Sequence, residues 1–193
     1  MSGAIALIER TGSAEAVTLR AVAREVGIAA PSIYAHFPDR EAILMAAVAR
    51  IFDELTDVIE KGVEEAGDDP VDRLIAGCEA YVAFGMDHPA RYGLLFSAAH
   101  RSAAADYCEP VPLGPGGRPV LEFGAESFAL LVDAIGDCVK VGASASTDIV
   151  ADGTAVWVAM HGTVSLRTAL PGFPWPDPGE FVRQFVLSLA RVR

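Results

Sequence analysis

Residues 18 to 37, Thr-Leu-Arg-Ala-Val-Ala-Arg-Glu-Val-Gly-Ile-Ala-Ala-Pro-Ser-Ile-Tyr-Ala-His-Phe, gather the side chains best spaced to act on a partner. Leu19, Val22, Ala23 and Val26 recur at helical spacing as one apolar stripe, and Gly27 then supplies the left-handed residue that ends a helix cheaply. After a three-residue turn a second short helix is expected, with Pro31 in its first turn and with Ile33 and Phe37, four residues apart, facing inward. Two helices joined this tightly around a glycine form a helix-turn-helix, whose second helix offers its outer face to a DNA major groove.

That outer face consists of Ala30, Pro31, Ser32, Tyr34 and Ala35, with His36 at its end. Small side chains let a helix backbone sit deep in the groove but offer few bidentate base contacts. Ser32 can hydrogen-bond a base edge, and the methyl of Ala30 or Ala35 and the ring of Pro31 can touch a thymine methyl. Thr18, Tyr34, His36 and Arg40 are placed for phosphates, joined by the backbone N–H groups that open the helices at 18 and 40. The same pattern also fits a helical hairpin packed inside an all-helical core.

These residues must be positioned by a chain of 193 residues, 52% hydrophobic and 21% charged, a balance that belongs to a folded globular protein and excludes disorder. Its 26 acidic and 15 basic side chains give a net charge of −11, yet residues 1 to 52 hold five Arg and five Asp or Glu. The whole excess therefore falls on residues 53 to 193, which suggests two modules with different partners. Of the twelve prolines, four lie between Pro110 and Pro119 and four between Pro171 and Pro178, marking linkers or loops.

Elsewhere apolar residues recur at helical spacing, as in Val71, Leu74, Ile75, Cys78, Val82 and Gly85, or Leu121, Ala125, Phe128, Val132, Ile135 and Val139, and no alternating strand is found. Asp69 before Pro70, Asp177 before Pro178, Thr18 and Asp39 read as helix caps. The pattern predicts helices near 3 to 12, 18 to 25, 30 to 36, 40 to 66, 70 to 87, 89 to 97, 120 to 140, 147 to 169 and 178 to 191, hence an all-α fold. Residues 98 to 119 form a Gly- and Pro-rich loop, either a lid or a disordered segment.

Cys78, Cys108 and Cys138 are an odd number at wide spacing with no CxxC pair, which fits a reducing cytosol. Only Cys138, near Lys140, has a basic neighbour that could activate it as a redox sensor, and a buried apolar cysteine is the default reading. The first twelve residues lack a basic segment and a long apolar run, so no secretion signal is expected, and no run approaches a membrane span of roughly 20 apolar residues. His36, His88, His100 and His161 lie in separate segments without HExxH, GxSxG or another nucleophile and base arrangement, so neither catalysis nor a metal or cofactor site is indicated. A soluble cytoplasmic protein without an enzymatic role is the expectation.

Thr18 to Leu44, with Tyr34-Ala35-His36-Phe37-Pro38-Asp39-Arg40-Glu41-Ala42-Ile43-Leu44, closely resembles the DNA-binding domain of TetR family transcriptional regulators. Trp157-Val-Ala-Met-His161-Gly162 resembles the Trp-His-Gly signature of one class of TetR C-terminal domain, and His88-Pro89-Ala-Arg-Tyr92-Gly-Leu-Leu-Phe96 its preceding short helix. The resemblance implies a homodimer with an N-terminal three-helix helix-turn-helix domain, here 1–46, a linking fourth helix, and a larger helical ligand-binding and dimerisation domain, here 47–193. It further implies a small-molecule inducer and a repressor that reads a near-palindromic operator. Ala29 stands where these regulators often have a capping Ser or Thr, which weakens that helix start by about 1 kcal/mol. Ala35 replaces a commonly larger, polar groove contact, and the chain begins partway through the usual first helix.

Within this frame Leu44, Ala47, Val48, Ile51, Leu55 and Val58 line one side of a long lever helix. Tyr81, Phe84, Phe96, Phe128, Trp157 and His161 are the candidates for an inducer cavity, although each fits ordinary core equally well. Gly153, Ala155, Ala159 and Gly162, with Phe181, Val182, Phe185, Val186 and Leu189, are expected to form a four-helix dimer interface. The rival reading is a helical protein-interaction or small-molecule-binding protein whose DNA binding is weak or lost.

Overall fold

In the computed structural model, residues 2–96 and 124–193 are described; the expected loop over 98 to 119, with Cys108 and His100, lies outside them. The described chain is helical throughout: α1 (Ser2–Thr11), α2 (Leu19–Glu25), α3 (Ala30–Tyr34), α4 (Arg40–Glu65), α5 (Pro70–Asp87), α6 (Pro89–Phe96), α7 (Ala125–Lys140), α8 (Ile149–Ala169) and α9 (Pro178–Leu189). Among the described residues there is no strand, only an isolated bridge between Ser144 and Val192. One difference from the expected boundaries matters: the second helix of the helix-turn-helix stops at Tyr34 instead of 36. The α7 helix runs from Ala125, after Gly124 in the left-handed region, and the expected start at 120 lies outside the described residues.

The expected caps are all in place, because a helix start leaves backbone N–H groups that a side-chain oxygen can satisfy. Thr18 accepts from Ala21 N at 3.1 Å, Asp39 from Ala42 N at 2.8 Å, Asp69 from Val71 N at 2.8 Å and Asp177 from Glu180 N at 3.0 Å. Ala29 caps α3 with no side-chain bond, so that short helix depends on packing instead.

The chain forms two compact units. The first takes in α1 to α3, α4 as far as Glu54, and α6. Its core is built by Ile5, Leu7 and Ile8 of α1, Leu19, Val22 and Ala23 of α2, Ile33 of α3, and Ile43, Leu44, Ala47 and Val48 of α4, all buried. Val26, expected on the buried stripe, is 44% exposed. It stands at the C-cap of α2, where the helix ends before the stripe can complete another turn.

The second unit takes in the remainder of α4, α5 and α7 to α9. Here α5 packs on α7, α8 and α9. Glycines allow the closest approaches: a Cβ at Gly62 of α4 would lie 3.1 Å from the Ala80 methyl on α5, and one at Gly153 of α8 would lie 3.3 Å from Val132 on α7. Gly153 thus serves packing inside the subunit, as do Val182 and Val186, both buried, rather than a surface for a second copy. Along α4 the inward positions are Leu44, Ala47, Val48, Ile51, Leu55 and Ile59; Val58 is 40% exposed, since a 3.6-residue repeat carries the stripe to 59.

One described helix, α8, is long and apolar enough by length and composition to cross a membrane. It packs on α5, α7 and α9 along one side, with Asp152 and Arg167 buried.

The reversal from α2 to α3 rests on Gly27, whose φ is +72°. Gly27 N donates to Arg24 O at 3.3 Å and Ile28 N to Ala23 O at 2.9 Å, the paired bonds of a Schellman turn. A Cβ added there meets nothing within 4 Å, so the cost of a side chain is conformational alone. Gly27→Ala is expected to destabilise the protein by about 1–2 kcal/mol and Gly27→Asn by less, read from urea unfolding midpoints.

Candidate nucleic-acid interface

With Ile33 buried at 3% exposure, the residues around it turn outward: Pro31, Ser32 and Tyr34 of α3 and Ala35 and His36 just after it are exposed, and Ala30 is half-buried. Tyr34 is 52% exposed, unusual for a large ring without a ligand. Thr18 is exposed at the start of α2, its hydroxyl occupied by the cap. Of the expected groove-facing set, Thr18, Pro31, Ser32, Tyr34, Ala35 and His36 are thus exposed in the first unit.

Arg40 is the exception. Its Nε donates to Val17 O at 2.8 Å and its Nη2 to Ala14 O at 2.7 Å, so the guanidinium ties the start of α4 to the single 3-10 turn Ala14–Ala16. That turn escaped the sequence reading because three residues are too few to show periodicity. The reading also passed over Arg20 and Arg24, exposed and four residues apart on α2, and over Ile28, 41% exposed in the turn. Their signal was present in the sequence: both arginines lie off the apolar stripe of Leu19, Val22 and Ala23.

The face is held to α1 by a two-bond fork, Arg10 Nη1 and Nη2 at 2.8 and 2.7 Å from the Glu25 carboxylate. That hydrogen bonding keeps the Glu25 carboxyl below its usual range.

The inducer candidates divide between the units. Phe96 lies on α6 in the first, its ring 5.0 Å from Tyr92. Tyr81 and Phe84 are buried on α5 in the second, where Phe128 of α7 meets Trp157 of α8 edge to face at 6.2 Å. His161 follows Trp157 by one helical turn, with its Nε2 3.4 Å from Ser165 Oγ. A cleft of about 560 Å3 elsewhere in the second unit is lined by other residues, apolar ones such as Val63, Leu130 and Val141 together with charged ones such as Glu64, Asp133 and Arg73.

Cys78 and Cys138 are both buried free thiols. Burial pushes the Cys78 thiol up to about 12 and the Cys138 thiol up to about 11. Cys138 Sγ donates to Pro70 O at 3.3 Å, while Lys140 pairs with Asp137 at 2.7 Å instead of activating the thiol. Alkylation of the native protein at about pH 8 should leave both cysteines unlabelled, as peptide masses would show.

Burial also holds the His161 imidazole below its ordinary 6.5. The folded state then takes up this proton less readily than the unfolded chain, so the stability His161 contributes is whole above its ordinary 6.5 and is lost as pH falls below that through the lower folded-state value. His161→Gln is expected to flatten the acid side of a curve of urea midpoint against pH.

Residues 1–47 match the family model described as bacterial regulatory proteins, tetR family, and residues 74–189 match the model described as tetracyclin repressor-like, C-terminal domain. Over 117 residues the chain is 30% identical to an uncharacterized HTH-type transcriptional regulator of Mycobacterium tuberculosis, covering 54% of this chain and 52% of that one. The chain thus matches about half the length of that curated relative. A solved protein with unknown function from Rhodococcus sp. RHA1 is similar with a TM-score of 0.78 and 26% identity, over 98% of this chain and 91% of that one. The TetR family transcriptional regulator PfmR from Thermus thermophilus, at a TM-score of 0.66 and 20% identity over 98% and 96%, shares the fold. The two family matches take in the helix-turn-helix and most of the helices that follow it: the chain belongs to the tetR family of bacterial regulatory proteins, a family of DNA-binding transcriptional regulators.

Proposed function

We propose that the chain is a cytoplasmic, homodimeric repressor that binds a near-palindromic operator through the α2–α3 face and is released from it by a small-molecule inducer, with no catalytic step. The observation that carries the reading is the sorting of α3: Ile33 is buried while Ser32, Tyr34 and His36 all stand exposed beside it. In this reading Ser32 and the small residues Ala30, Pro31 and Ala35 approach base edges, and Tyr34, His36 and the N–H groups at Thr18 approach phosphates. Arg20 and Arg24 join them from α2, and Arg40 serves chiefly to seat α4.

A second copy is supported by α8. Val158, Leu166 and Leu170 are 59%, 50% and 52% exposed and follow one another at four- or eight-residue intervals, with Gly162, open to any neighbour, completing the row. A row of bare apolar side chains on a long helix is suited to a partner helix, and a two-fold pair would present two α3 helices to adjacent turns of the duplex. The inducer, in this reading, lies against Phe128, Trp157 and His161, an apolar wall with one group able to hydrogen-bond.

Selection of genomic fragments followed by mobility shift tests the DNA assignment. The wild type should retain a near-palindromic fragment, with affinity falling between about 50 mM and about 200 mM salt. Tyr34→Ala combined with His36→Ala should weaken it by about tenfold or more. Retention of no fragment at all would favour the rival, an interaction module without DNA binding. Sedimentation tests the dimer: the wild type should be dimeric at micromolar concentration, and Leu166→Glu should shift it toward monomer.

A further inference from the structure

Arg91 stands in the first turn of α6 and reaches two other helices of the same unit. Its Nε lies 2.6 Å from Glu9 on α1 and its Nη1 2.8 Å from Glu54 on α4. Glu54 is also met by Arg50, one turn earlier on α4, at 3.1 Å. The three-helix group is sheltered at its centre, with the Arg91 side chain 22% and the Glu54 side chain 25% exposed.

The positions of these residues along the chain give the group its interest. Glu54 is the last residue of the first unit before α4 runs on into the second, and His88, three residues before Arg91, is where the chain returns after α5. One guanidinium therefore holds both of these chain crossings to α1. On α1 the next residue after Glu9 is Arg10, whose fork to Glu25 holds α2. Two sets of charge-assisted bonds, Glu54–Arg91–Glu9 and Arg10–Glu25, thus meet at adjacent residues of α1, the second ending on the first helix of the helix-turn-helix.

We propose that Arg91 is the positioning residue that conveys a displacement at the two chain crossings to the DNA-binding face. The chemistry suits the task. Apolar side chains slide past one another at little cost, whereas a planar guanidinium engaged along two of its fixed N–H directions carries its partners with it. A lysine here would serve as a point charge and could favour one carboxylate at a time. Because coupling between sites is reciprocal, DNA bound at α2 and α3 must in turn be felt at the end of α5. The inference rests on the DNA-binding role of α2 and α3.

Amide hydrogen exchange on the full chain, with and without a retained genomic fragment, reads both ends at once. In the wild type, DNA should raise protection at residues 18–36 and also change exchange across residues 81–96. In Arg91→Gln the protection at 18–36 should persist and the change at 81–86, on α5, should be lost. Glu9→Gln, which leaves the Arg91 bond to Glu54 intact, should lose it too, and Arg91→Lys should keep part of it. If Arg91→Gln does not fold, Glu9→Gln decides by the same criterion. An undiminished response at 81–86 in the variants, or no response there in the wild type while 18–36 is protected, overturns the role of Arg91. No protection at 18–36 in the wild type overturns the DNA-binding face itself, and this proposal with it.

Discussion

Everything that the first unit offers to a partner is aimed by the backbone at Gly27. A residue with φ of +72° turns the chain back within two positions, and its two hydrogen bonds satisfy carbonyls that the end of α2 would otherwise leave open. The direction in which α3 leaves this turn decides that Ile33 meets the core and that Tyr34 does not. Five residues with no side-chain cap cannot hold a helix by propensity, so α3 takes its order from the turn before it and from the packing of Ile33 beneath it. The exposure of Tyr34 is in this sense a by-product of one left-handed residue and one buried isoleucine.

The basic residues of the first unit are largely engaged in holding the fold. Arg10 is paired with Glu25, Arg50 and Arg91 share Glu54, and Arg40 donates to two carbonyls. What reaches solvent on α2 is Arg20 and Arg24. With five Arg against five Asp or Glu over residues 1 to 52, in a chain of net charge −11, little unscreened positive charge is left there.

Local rules made much of this structure legible. Thr18, Asp39, Asp69 and Asp177 each cap a helix because a carboxylate or hydroxyl one residue ahead of an apolar repeat has few other uses, and Gly27 announces its own turn. What escaped was decided by residues distant in sequence. Arg40 is drawn to the carbonyls of Val17 and Ala14, Gly153 is filled by Val132, and the thiol of Cys138 finds Pro70 rather than Lys140. Val26 and Val58 left the expected apolar stripes for geometric reasons, one by helix termination and one by drift of the repeat. The three-helix group around Arg91 had no signature at all, since Glu9, Glu54 and Arg91 are joined only by folding.

Helix α8 shows why periodicity fails where it is most needed. An amphipathic helix declares its inner face by contrast, but α8 has apolar residues on both sides, Val156, Met160 and Val164 buried within the subunit and Val158 and Leu166 bare on the outside. Its charges are confined to the ends and are taken inward: Asp152 pairs with Arg191 at 3.0 Å, and Arg167 donates to Pro176 O at 2.7 Å with its guanidinium 5.4 Å from the Trp175 ring. A buried guanidinium held by a carbonyl and an aromatic face keeps its charge out of water without a carboxylate partner, at a cost that the ring quadrupole only partly offsets. The middle of α8 is thereby left free of charge on its outer side for several turns. Such a surface has a strong tendency to associate, and the position of Gly162 within it lets a neighbouring helix come closer than any larger residue would.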